Sequence, residues 1–310
     1  LSAAEHLRIA TFQQVLHEIN NNTVPLPGLA TEDQYNCLAK QLVDSRRRIE
    51  FVFHIRDGQH HPSRADPASG MFDPLKAAVL HLRAGRRDEA YWLVFLATHF
   101  GKHQADGWEL TRQIYGKVGG PSRWDWAAIS QNPGAFRPWL AVNEQLLRIW
   151  RFSNHRKYES LRADSTKGTA RVFETYVAWV GPPRTHAGMI HDLHVEVGQN
   201  PQAVFDKMYR SMDDVMRFGR LGRFDFLTML GKLGIAPIEP GSAYLWHSAT
   251  GPLRGARLLF GGAANANLRA SELDDLLLQI DAKLKVGMQA LEDSLCNWQK
   301  SPAQHLLFRG

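Results

Sequence analysis

The sequence has little that would make a covalent scaffold or a membrane anchor. Only two of its 310 residues are cysteine, Cys37 and Cys296, which excludes a disulfide framework. Its longest apolar run, Tyr91 to Thr98, is far short of the roughly 20 residues that cross a bilayer. The opening stretch, Leu1 to Ile9, carries Glu5, His6 and Arg8 and lacks the apolar core of a signal peptide. Strict apolar–polar alternation is scarce, and no repeat, coiled-coil heptad or low-complexity tract is present. There is no P-loop, no Gly-rich dinucleotide turn, no Gly-x-Ser-x-Gly elbow and no Cys-x-x-Cys pair. The expectation is a reduced, cytoplasmic, soluble protein with no membrane partner and no cofactor.

What is present is a foldable, aromatic-rich chain. Apolar residues make up 44% and aromatics 10%, including nine Trp, which excludes disorder. The length suffices for one large core or two modest ones. The formal charge of +6 is unevenly placed. Arg112 to Arg171 holds eleven basic and four acidic residues, a local charge of +7, so the remainder sums to −1. The same stretch contains Trp124, Trp126, Phe136, Trp139, Trp150, Phe152 and Tyr158. Cations interleaved with aromatics suit a polyanion with stackable bases. The alternative is a solvated basic face over an aromatic core.

The apolar spacing predicts an all-α fold. Helical periods run through 3–19, 33–55, 74–84, 88–100, 107–117, 138–150, 168–180, 201–217 and 223–233, and one long amphipathic helix is expected over 271–298. Residues 58–70, rich in Pro, Gly, Ser and His, suggest a boundary. The expected organisation is an N-terminal helical extension over 1–70 and a main domain over 71–310. His99 and His103 have the spacing of a metal pair but no evident third ligand. His186, His191, Asp192, His194 and Glu196 follow Gly181-Pro182-Pro183 and are expected in a loop. No metal site is assigned.

Two short apolar stripes flank Phe218-Gly219-Arg220-Leu221-Gly222-Arg223. This pattern suits a helix-hairpin-helix near 203–233, in which Gly219 and Gly222 let backbone N–H groups approach a DNA phosphate at a helix N-terminus. Arg220 and Arg223 would add charge. An ordinary αα-hairpin is the alternative. In glycosylases of this hairpin class, a carboxylate follows the last hairpin glycine by roughly twenty residues and stabilises a cationic sugar. Glu239 is the only carboxylate between Phe226 and Glu272, which makes it the first candidate. Asp225, at the start of the second helix, is the rival. Where strand-cutting enzymes of the class place a lysine, this chain has Phe224, which points to a water-using enzyme; Lys232 keeps the alternative open.

Three stretches resemble signatures of the alpha-glutamyl/putrescinyl thymine pyrophosphorylase-like families, and best those of clade 3. They are Arg151-Phe152-Ser153-Asn154-His155-Arg156-Lys157-Tyr158-Glu159, then Thr250 to Leu258, then Leu291 to Lys300. The resemblance covers about residues 70–310. It implies a glycosylase-like helical fold acting on double-stranded DNA that carries modified bases. Clade 3 is similar to an anti-phage DNA glycosylase that removes glucosylated 5-hydroxymethylcytosine. Residue by residue, the resemblance puts Asn154 and Arg156 at a base edge or phosphate and Arg254 and Arg257 at phosphate or sugar hydroxyls; Lys157, next to them, is a further DNA-binding candidate. Trp124 and Trp126 are the candidate stacking residues of the base pocket. Cys296 and Trp298 are expected to be structural. The departures at Gln299-Lys300-Ser301 and in the second segment weaken a transferase role more than DNA binding. A base transferase and a non-catalytic DNA-binding module are the alternatives to excision.

Overall fold

The computed structural model of the protein describes residues 2–246 and 249–307. Among them are fourteen α-helices and no strand, and 65% of the chain is helical, so the fold is all-α. The chain forms two compact units. The first takes residues up to Phe51 with those from Pro240 onward; the second is Val52–Glu239.

In the first unit, α1 (Ala3–Asn22) opens with a capping box between Ser2 and Glu5. Helix α2 begins at Glu32 and runs to Asp57. In the chain order of the whole protein, α12 is Thr250–Gly261, α13 Ala270–Leu284 and α14 Met288–Trp298. Gly255 of α12 lies against the Leu295 carbonyl of α14, and a Cβ at Gly251 would stand 2.5 Å from Cys296 Sγ. Two of the three signature stretches therefore pack on each other, and small residues allow the approach. Arg48 of α2 reaches Asp293 of α14 at 2.5 Å.

The single helix expected over 271–298 is two helices. Lys285 and Gly287 take positive φ angles of 53° and 87°. The Asp281 carboxylate accepts the N–H groups of Val286 and Gly287, each at 2.9 Å. The apolar stripe resumes after the turn on the buried side, so periodicity hides the break.

The second unit is organised by α4 (Arg87–Phe100), which carries the longest apolar run. A helix apolar all round belongs in a core, and every residue from Ala90 to Leu96 is fully buried. Helix α3 (Pro74–Arg83) precedes it, with Asp73 as N-cap and Pro74 in the first turn. After it come α5 (Glu109–Tyr115), α6 (Trp126–Gln131), α7 (Phe136–Leu147), α8 (Thr169–Val180), α9 (His186–Val197), α10 (Pro201–Ser211) and α11 (Arg220–Lys232). Phe95 stacks on Tyr176 of α8 at 3.7 Å and on Phe218 at 4.6 Å, and meets Phe226 of α11 edge-on. Burying each such ring stabilises the unit by about 1.5–3 kcal/mol. This cluster ties the hairpin to α4.

The His186 segment, expected as loop, is α9. Thr185 caps it by accepting the Gly188 N–H, so Gly188 is tolerated in the first turn. His186 is buried. Its backbone N–H and Nδ1 reach Asp88 at 2.7 and 2.9 Å, and the Tyr176 hydroxyl meets its Nε2 at 2.8 Å. The neighbouring acid, Glu89, accepts the Trp126 N–H and the Tyr115 hydroxyl. The first turn of α4 thus caps both α6 and α9.

Candidate active site at the helical hairpin

Helices α10 and α11 flank Phe218 and Gly219, the start of the Phe218–Arg223 stretch. Asn200 caps α10, whose buried stripe is Val204, Phe205 and Met208. A short 3-10 turn, Met212–Asp214, follows. The chain then reverses through Arg217, at a φ of +65°, and α11 starts after Gly219. That N-cap supplies no side-chain acceptor, and Gly219 is exposed, so the first N–H groups of α11 face outward.

The first signature stretch is bolted to this hairpin. Arg217 donates to the Glu159 carboxylate at 3.0 Å and to the Tyr158 carbonyl at 2.8 Å. Arg156 runs beneath. Its Nε donates to the Thr98 carbonyl at 2.9 Å, Nη1 reaches the Arg217 carbonyl at 3.5 Å, and its guanidinium lies 4.9 Å from the Phe218 ring centre. Nη2 is buried without a hydrogen-bond partner. The guanidinium rests against the bare Cα of Gly222, where a Cβ would be 2.6 Å from Nη2. It is close approach and not φ that favours glycine at 222, because an added Cβ would have to displace this guanidinium.

Asp225 sits one turn further along α11. Part of its surface reaches solvent. Burial nevertheless pushes its carboxyl above the ordinary carboxylate range, against the opposing pull of Arg156, Lys232, His155 and Arg220. Among the described residues, nothing donates a hydrogen bond to this carboxylate and no cation forms an ion pair with it. A desolvated carboxylate with free lone pairs beside a hairpin can accept a proton or face a developing cation.

Glu239, the first candidate by spacing, is exposed. Its N–H reaches the Pro201 carbonyl and its Oε1 takes a 3.4 Å contact from Gln202, at the start of α10. Arg223, expected to add surface charge, is turned inward. It pairs with Asp213 at 2.5 Å, donates to the Tyr209 carbonyl at 3.1 Å and covers the Tyr209 ring. Arg220 lies over Phe224 at the helix start. Asn154 and Lys157 are exposed beside the hairpin, whereas Arg156 is 9% exposed.

Trp124 and Trp126, expected in a base pocket, are packed in the core at 5% exposure each. Trp126 Nε1 donates to the Arg184 carbonyl, and Lys117 covers the Trp124 ring. Among the aromatics counted in the basic stretch, the one exposed is Tyr158, 79% exposed with Lys157 over its ring. Sequence reasoning counted Tyr158 in the basic stretch but did not select it. Arg254 and Arg257 stand on α12 in the first unit, Arg254 exposed and Arg257 donating to the Leu268 carbonyl.

The +7 of the basic stretch is smaller in space than in sequence. Four acids from outside it, Asp66, Asp106, Glu109 and Glu174, pair with Arg123, Arg151, Arg112, Arg137 and Arg171. Counting them, and Arg217, which pairs with Glu159 from outside the stretch, leaves +4. His99 and His103 do not pair: His99 is buried against Thr169, and His103 contacts Asp106 in a turn. Among the described residues, no group of three or more His, Cys, Asp or Glu is placed to hold a metal ion, and no helix is long and apolar enough to cross a membrane.

An all-helical chain with a signature loop clamped to a hairpin and a desolvated carboxylate behind it defines the class. The chain belongs to the alpha-glutamyl/putrescinyl thymine pyrophosphorylase clade 3 family, which it matches over residues 33–310. The match begins within α2, earlier than the sequence signatures reach. No curated protein and no solved structure matches the chain.

Proposed function

We propose that the protein is a DNA glycosylase that hydrolyses the N-glycosidic bond of a modified base in phage DNA. The reading rests on one observation above others: the Asp225 carboxylate is desolvated, unpaired and adjacent to the hairpin. The family's name supports chemistry on modified bases. The target base must leave the stack to be reached. Asp225 then stabilises the oxocarbenium-like sugar and takes a proton from the attacking water. The water oxygen bonds to the anomeric carbon as the carbon–nitrogen bond breaks, and its electron pair leaves with the base. An abasic site remains. Phe224, 1% exposed, stands where an amine nucleophile would be needed for strand cleavage, so hydrolysis ends the reaction.

The proposed substrate is alpha-glucosyl-5-hydroxymethylcytosine, and the proposed role is phage defence in the cytoplasm. The test is incubation with hydroxymethylcytosine DNA, with and without glucose, and with hydroxymethyluracil DNA. Released base and alkali-labile sites support the reading, and Asp225→Asn lowers excision at least about a hundredfold. The family's name also favours a second reading, transfer of a substituent onto an activated thymine. Incorporation of an amine or amino acid into hydroxymethyluracil DNA, without base release, replaces the first reading with the second. Tight, salt-dependent binding with neither product marks a non-catalytic module.

A further inference from the structure

Arg156 is a buried cation of the signature loop packed beneath the hairpin, and its surroundings leave it incompletely used. Two backbone carbonyls and the Phe218 ring fix the guanidinium, yet Nη2 donates to nothing. Its position along α11 is set by Gly222, whose missing side chain leaves the space it fills. Residues three apart on a helix share a face. The guanidinium therefore stands on the face of α11 from which the Asp225 side chain projects.

We propose that Arg156 is the positioning residue for Asp225: seated in the space left by Gly222, it holds the neighbouring carboxylate ionised without bonding to it. A direct ion pair would occupy the oxygen lone pairs that must accept a proton. A guanidinium held back by Thr98 and Arg217 supplies the field and leaves those lone pairs free. The other charged groups facing Asp225 are His155, beside Arg156 in the signature loop, and Arg220 and Lys232 on α11 itself. His155 is exposed, and Arg220 and Lys232 are partly so. Water screens all three more than it screens Arg156.

The proposal deepens the reading of Asp225 as the catalytic carboxylate, but its test does not depend on turnover. The Asp225 carboxyl is titrated by carbon-13 NMR in the full chain without DNA, its signal assigned by loss in Asp225→Asn. Arg156→Gln moves the midpoint to higher pH by about 1–3 units. Arg156→Lys returns it most of the way, and the acid limb of any excision profile moves with it. Lys232→Gln and Arg220→Gln each move it by less than Arg156→Gln. An unchanged midpoint in folded Arg156→Gln overturns the proposal. Should that variant fail to fold, a shift of a full unit in Lys232→Gln assigns the role to Lys232 and overturns it equally, while a small shift there and a retained midpoint in Arg156→Lys support it. Normal excision by Asp225→Asn would defeat the functional reading alone, because the titration would still stand.

Discussion

The bare Cα of Gly222 rests on the guanidinium of Arg156, with the place of a missing Cβ 2.6 Å from Nη2 and 3.0 Å from Nη1. In an open helix, Gly→Ala gains about 1 kcal/mol. Here the added methyl must displace a buried cation that is tied to the Thr98 and Arg217 carbonyls. Overpacking ordinarily costs about 1–3 kcal/mol and the propensity gain offsets about 1, so Gly222→Ala is expected to destabilise by up to about 2 kcal/mol. Chemical denaturation checks the sign: a midpoint above wild type would show that the guanidinium yields freely.

Asp225 is expected to trade stability for chemistry. Its folded pKa lies above its unfolded one because burial disfavours the charge. Below the unfolded carboxylate pKa, about 3.9, both states are protonated and the residue makes no difference. As pH rises past that value, the unfolded state ionises first and the folded state bears the cost. Asp225→Asn should then raise Tm at pH 7 relative to wild type. The gain should vanish near pH 4. A Tm lowered at pH 7 would contradict the desolvated environment. Glu239→Gln, at an exposed site, should change neither Tm nor excision.

Lys157, Arg223 and Tyr158 at the hairpin face separate by salt dependence and stability. Lys157 is exposed and Arg223 is 4% exposed against Tyr209 and Asp213. Lys157→Ala should lower the salt slope of DNA binding by about 1 and leave Tm unchanged. Arg223→Ala should leave the slope unchanged and cost about 1–3 kcal/mol of stability, through the lost packing on Tyr209 and the lost hydrogen bond to its carbonyl, since Asp213 stays solvated. Tyr158→Ala should weaken binding to abasic-site DNA by about 1–3 kcal/mol through lost stacking. Equal effects of Lys157 and Arg223 on the slope would show that Arg223 turns outward on binding.

Helix positions were readable because burial of one face imposes a 3.6-residue period, as in α1, α2, α8 and α11. The period carries no sign of a turn whose two arms keep the same buried side, which is why Lys285–Gly287 was invisible. Gly188 after two prolines reads as loop, but a Thr185 cap makes it a helix start. Burial of polar groups is the part that spacing does not encode. Asp225 reads as a first-turn acid on a helix dipole, and Arg156 as one more cation in a basic stretch. Nothing local distinguishes them from Arg220 or Lys157. The interleaved Trp124 and Trp126 suit stacking equally well in a groove or a core. Their neighbours in space, Phe136 and His186, decided for the core.

The second unit should be acid-labile through buried histidines. Burial lowers the pKa of His186 and holds His99 well below its usual value, and it brings His81 down to about 4. Each imidazole stays neutral when folded but takes a proton near pH 6.5 when unfolded, so its stability contribution is full above that value and lost as pH falls. Two carboxyls act in the opposite sense. Burial pushes Glu89 up to about 7 and raises Asp225, and these favour the folded state as pH falls toward the unfolded carboxylate range. Three imidazoles act against two carboxyls, so stability should fall as pH drops below about 6. His99 is the residue to remove. The Thr169 hydroxyl donates to the Ser160 carbonyl, so it accepts from His99 Nε2, a bond that a Gln amide can reproduce. His99→Gln should reduce the slope by one proton, measured by urea unfolding across this range; an unchanged slope would mean that His99 is not the neutral imidazole its surroundings require.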